Sequence, residues 1–197
     1  MKSAESLIGL LRSGLPLAEA IAAASTFHPH SFSLPCEINK ATLRSWRMVP
    51  VLSRSKDVSP AEMIGYPTSD RVQLRQWVAE HPGCNFAIAA GAEWGLIVLE
   101  VAGRRSMASL RALCGDDWTW RDSCEFHAGN AQFFIFAHPG QGTRLIDPCL
   151  AGVTLHEGLV MAPPSRLHTG EVFAYTRPDA PLLSVPAWLL DQDDNQR

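Results

Sequence analysis

Lysine is scarce in this chain. Of its 17 Lys and Arg residues in a total of 197, only Lys2, Lys40 and Lys56 are lysines. The cations are otherwise arginines, whose forked guanidinium suits bidentate contact with phosphate or carboxylate. An excess of positive charge is also missing: the formal net charge is −3, so no overall field draws the protein to nucleic acid or an anionic membrane, and any phosphate binding must be local. Paired cysteines are absent. Cys36, Cys84, Cys114, Cys124 and Cys149 contain no CxxC, and an odd number cannot close a complete disulfide framework, which points to a reducing cytoplasm. No apolar run approaches the roughly 18 residues of a membrane span. Glu5, Arg12 and Glu19 interrupt the only stretch resembling a signal peptide, so the expectation is a soluble protein. There is no internal repeat. Hydrophobic residues at 46% and charged residues at 19% exclude gross disorder, and the length sets an expectation of one domain with an appended segment.

Leu7, Ile8, Leu10 and Leu11 have helical spacing, and Gly14 with Pro16 separates them from a second short helix over 17–24. Prolines 29 and 35 break the segment 27–39, which reads as a linker with a boundary near residue 40. Three segments follow from this: a helical extension and linker over 1–40, a domain over 41–190 and a polar, disordered tail over 191–197. Within the domain, the patterning predicts a short helix over 41–46, a strand over 48–52, a helix capped by Asp70, strands over 85–90 and 96–101, and a helix over 106–113. A hairpin of 124–127 with 132–137 turns where Gly129 and Asn130 can take positive φ, and a strand over 158–162 stops at Pro163-Pro164.

Read from composition alone, this is an α/β chain of open function. The order of its motifs says more. VPVLSRSK (49–56), GCNFAIAAGAEWGLIVLEVAG (83–103), FHAGNAQFFIF (126–136) and GLVMAPPSRLHTGEVFAY (158–175) follow one another along the chain. This ordered set resembles the N-terminal domain of bifunctional primase-polymerases of plasmids, phages and integrated elements, a branch of the archaeo-eukaryotic primase superfamily, over about 41–177. The resemblance implies an α+β fold with a curved, mostly antiparallel sheet flanked by helices, in which Glu100, the 124–137 hairpin and the 158–162 strand surround one cleft. It also implies metal-bound acids that add nucleotides on a template.

Such chemistry clamps the attacking and leaving oxygens between divalent ions about 3.5–4 Å apart. Two carboxylates at i and i+2 on one strand serve it, because alternate residues share a face. The family's acid-x-acid pair falls here on Glu100-Val101-Ala102, so one acid is a methyl group. The family's Gly-Gly-x-His falls on Gly129-Asn130-Ala131-Gln132, where Gln132 can donate a hydrogen bond but carries no charge. The third acid falls on the segment Thr154-Leu155-His156, with Glu157 as a substitute if the register slips. Glycines 91, 95, 129 and 170, the Pro-Pro-Ser segment and the apolar strands match.

The candidate residues are therefore Glu100 as the remaining catalytic acid and Lys56, Gln132, Ser165 and His168 as nucleotide contacts, with no metal site. No cofactor is expected, and Mg²⁺ or Mn²⁺ would be needed only by an active enzyme. Each candidate also has a structural alternative. Glu100 can pair with Arg104 or Arg105, Lys56 can be a solvated loop lysine, and Ser165 and His168 can satisfy turn backbone. Tryptophans 46, 77, 94, 118, 120 and 188 can stack on bases, or belong to the core. Over 41–190 there are 13 basic and 14 acidic side chains, against tight independent binding of DNA. Three functions stay open: a catalytically degenerate replication-associated domain that weakly binds nucleotide or DNA, an active primase-polymerase with a non-standard acid set, and a structural or partner-binding protein. In the last, residues 1–26 meet a second copy or a replication partner.

Overall fold

The computed structural model describes residues 36–52 and 54–191. The helices expected within 1–26, most of the linker and the tail beyond Asp191 lie outside them. Three helices and nine strands are described: α1 (Cys36–Leu43), β1 (Met48–Val51), α2 (Arg71–Glu80), β2 (Asn85–Ala89), β3 (Leu96–Ala102), α3 (Gly103–Cys114), β4 (Cys124–Ala128), β5 (Ala131–Ala137), β6 (Val153–His156), β7 (Leu159–Ala162), β8 (Ala174–Arg177) and β9 (Leu183–Ser184). The fold is mixed α and β, and every pairing is antiparallel except that of β5 with the short β9.

The expectation of one sheet is corrected to two. Strands β1, β2 and β7 form a small sheet in the order β1-β2-β7, while β6-β3-β5-β4-β8 form the large one. The physical reason lies in the patterning. All of β1 and β2 and nearly all of β7 are buried residue after residue, as strands covered on both faces must be. One core joins this small sheet and α1 and α2 to one face of the large sheet, through Ile38, Leu74, Phe86, Ile88, Phe126 and Phe133. The opposite face of the large sheet packs Ile97, Leu99, Phe134 and Phe136 against Leu110 of α3 and Trp120. Complete burial of a side chain such as Phe133 contributes about 1.5–3 kcal/mol.

Local signals place most elements. Asp70 caps α2 by accepting a 2.8 Å hydrogen bond from Val72 N–H. The first helix lies at 36–43 rather than 41–46, because Ser45 takes a left-handed φ of 59° and turns the chain so that Trp46 enters the core. In the hairpin Gly129 alone has positive φ, 56°, as a II′ turn requires at its first central residue. Strands β6, β8 and β9 were not expected. They are short and half-buried, and with one face toward solvent they lack the apolar runs that marked β2 and β3.

Candidate functional site

Strand pairing decides which side chains meet. Residues directly opposite in adjacent strands share a face, and a step of one residue changes it. Glu100 on β3 stands opposite Phe133 on β5 and Thr154 on β6, while Ala102 stands opposite Ala131. The third-acid segment is thus in the expected register, with Thr154 beside Glu100. Gln132 is not. It pairs with Val101 and His127 on the other face, and its amide donates to Glu125 Oε1 at 3.1 Å. The neighbour of Gln132 on the turn side, Ala131, shares Glu100's face, so a methyl group stands near the place the resemblance gives to an imidazole.

Glu100 is 3% exposed and both of its carboxylate oxygens are engaged. Lys56, from the loop after β1, donates to Oε1, and His156 Nε2 lies 3.0 Å from Oε2. Neither Arg104 nor Arg105 takes part, which corrects the alternative pairing expected from sequence: both follow β3 on the first turn of α3, and Lys56 and His156 occupy the carboxylate. Burial pushes the Glu100 carboxyl up, but the hydrogen bonds from His156 and Lys56 and the charge of both outweigh it and hold the group below its ordinary value of 4.5. Lys56 also sits 5.9 Å from the Phe133 ring centroid. The contact is made by the ammonium itself, which faces the ring and the acid together.

These residues line a cavity of about 160 Å³. Six of the ten lining residues are apolar, namely Val58, Phe133, Leu159, Val160, Met161 and Phe173. Asp57 is the second acid on its lining, fixed by a bridge to Val160. Sequence reasoning missed it, although it directly follows Lys56. Glu157 is not a substitute acid for this site: it is 52% exposed and meets His138 Nε2 at 3.2 Å.

Neither Ser165 nor His168 is on the lining of the Glu100 cavity. The Ser165 hydroxyl is buried against β2, donating to Phe86 C=O at 2.9 Å and accepting from Phe86 N–H at 2.8 Å. His168 is exposed, its Nδ1 3.0 Å from the carbonyl of Arg54. Both hold backbone in place. Only Glu100 and Lys56, of the five candidates, come together. Gln132 instead forms part of a polar groove on the far face of the large sheet with Glu125, His127 and Thr176.

The donor set does not fit a pair of divalent ions. Glu100 offers one carboxylate with both oxygens already bonded, Ala102 and Ala131 offer methyl groups, and Thr154 offers a hydroxyl. Among the described residues no three His, Cys, Asp or Glu side chains converge in a way that could hold a metal. Also among the described residues, no helix is long and apolar enough to cross a membrane.

No curated protein matches the chain. The scaffold is a different matter, for the strands that frame the Glu100 cavity, their connections and the Pro-Pro-Ser turn all fall within one match. Residues 39–188 match the family described as bifunctional DNA primase/polymerase, N-terminal, and the chain belongs to that family.

Proposed function

We propose that this replication-associated, primase-polymerase-like domain does not polymerise nucleotides and serves its replication module by binding or by scaffolding. The observation that carries this reading is the state of Glu100. A carboxylate clamped by an ammonium and an imidazole has both oxygens engaged, and a divalent ion would have to displace both partners and shed part of its own water to use it. Cavity size supports the same reading. Pockets that enclose small-molecule ligands run to about 300–1,000 Å³, well above the 160 Å³ here. A nucleotide phosphate reaching Lys56 would also compete with Glu100 for the only Lys or Arg that the described residues place on the lining.

One observation favours the competing reading of an active polymerase: Asp57, from the loop after β1, lines the same cavity as Glu100 of β3, which puts two acids on one lining. The experiment that separates the two readings is incorporation of labelled nucleotide on a primed template with Mg²⁺ or Mn²⁺. The expected result is no incorporation by the wild type, and no rise in its melting temperature with either ion and a nucleoside triphosphate together. Incorporation that Glu100→Gln abolishes would refute the non-catalytic reading.

A further inference from the structure

Most of the tryptophans are accounted for by packing. Trp46 and Trp120 are buried, Trp118 and Trp188 make edge contacts with Trp120 at centroid distances of 5.0 and 5.9 Å, and Trp77 lies against Gly65. Trp94 is different. It sits half-buried in the turn between β2 and β3, and its ring is 5.4 Å from that of Tyr66 at a 57° tilt. Tyr66 is 63% exposed. The exposed Arg47 places its guanidinium 5.4 Å from the Trp94 centroid.

We propose that Tyr66, Trp94 and Arg47 form a stacking site for the bases of single-stranded nucleic acid, outside the Glu100 cavity. The exposed Tyr66 ring and the half-buried Trp94 ring offer π-faces to any base, and the adjacent guanidinium offers a partner for one phosphate. The site is rigid before anything binds. Met48 and Thr68 exchange two 2.9 Å backbone hydrogen bonds, which ties the Tyr66 segment to β1. Gly65, with φ of 91°, is packed so closely on Trp77 that a side chain there would clash. The Trp94 turn is closed by N–H groups of Trp94 and Gly95 that both donate to Gly91 C=O at 3.0 Å. Glu93 accepts a 3.0 Å hydrogen bond from the Tyr66 hydroxyl, which fixes the ring edge. A preorganised surface of this kind loses little entropy on binding.

Position adds a second argument. Leu159, a wall of the cavity, pairs with Ala89, whose N–H donates to Arg47 C=O at 3.0 Å. Two strand spacings, about 10 Å, therefore separate the cavity wall from the stacking site. A strand lying along the cavity mouth would reach it. Stacking, with one cation beside it, also suits a domain of nearly balanced charge, and it sets a distinctive expectation: weak affinity with a shallow dependence on salt.

The test uses the full chain, a fluorescent oligothymidylate of 12 nucleotides and an abasic oligomer of the same length, read by anisotropy at low salt. Loss of one base stack weakens binding by roughly fivefold or more. The wild type should therefore bind the abasic strand at least fivefold more weakly than oligothymidylate. Tyr66→Ala and Trp94→Ala should each weaken oligothymidylate binding at least fivefold, Trp94→Phe should retain most of it, and the logarithmic salt slope should be near −0.7, about one phosphate. Tyr66→Ala, at an exposed position, keeps the test valid if Trp94→Ala does not fold. Equal affinity for the two oligomers, wild-type binding by Tyr66→Ala, or no binding at low salt would each overturn the proposal. The outcome is independent of whether the domain polymerises.

Discussion

Replacement of Lys56 by methionine tests whether the cavity is held by its ion cluster. The substitution keeps an unbranched side chain of similar length and removes the ammonium, leaving Glu100 with the single hydrogen bond to His156. Removing one partner of a fully buried pair costs about 3–5 kcal/mol. Here the acid is 4% exposed and the lysine 44%, so solvent already screens the cation, and the expected cost is discounted to about 2 kcal/mol. Glu100→Gln should cost about 1 kcal/mol or less, because Lys56 can turn to water and the amide keeps hydrogen bonds. The double variant should resemble Glu100→Gln alone, since residues in contact do not add. Urea midpoints at unchanged slope measure all three. The pH dependence carries its own sign. Because the folded Glu100 carboxyl is held below its ordinary value of 4.5, its stabilisation is complete above that value and is lost as pH falls through the folded one. The gap between the wild type and Lys56→Met should therefore narrow on acidification below about pH 4.5. Additive costs, or a larger cost for Glu100→Gln than for Lys56→Met, would refute the reasoning.

Ser165→Ala should destabilise by about 2–3 kcal/mol, because it strands the buried Phe86 N–H and C=O; a nucleotide contact with no structural role would leave the melting temperature unchanged. Of the five thiols, Cys36 and Cys149 are exposed, while burial pushes Cys84, Cys114 and Cys124 up to about 11. A disulfide reagent at pH 7.5 should titrate two thiols rapidly and the other three only after unfolding, and a third fast thiol would contradict the packing described. Ala102→Asp restores an acid on the face of Glu100. Lys56 and His156 still occupy the neighbouring carboxylate, so at most a small metal-dependent rise in melting temperature is expected, without nucleotide incorporation.

The elements most legible in the sequence were those whose signal is local. The runs Asn85–Ala90 and Leu96–Val101 are apolar apart from Asn85 and Glu100 and became β2 and β3. Asp70 announced α2, and Pro163-Pro164 ended β7 where expected. Much less of the site could be read. Lys56 and Glu100 are 44 residues apart in sequence, and nothing local tells that they meet. His156 was noted only as the last residue of a segment expected to hold an acid, yet its imidazole is bonded to Glu100.

The sequence by itself determined the fold class and the order of elements, because burial on one face or on both leaves a periodic trace in a single strand. It also placed Ala102 two residues from Glu100 on one strand face, since an i, i+2 pair lies within one strand. Only the tertiary structure decided that the strands divide into two sheets, and that Gln132 faces away from Glu100 while Ala131 faces with it. A hairpin read one residue out of register reverses every side chain, and which of the two registers holds depends on the partner strand, where Ala102 pairs with Ala131. It likewise decided that both oxygens of Glu100 are engaged by Lys56 and His156, because the ammonium and the imidazole arrive from a separate loop and strand whose meeting is set by packing rather than by spacing along the chain.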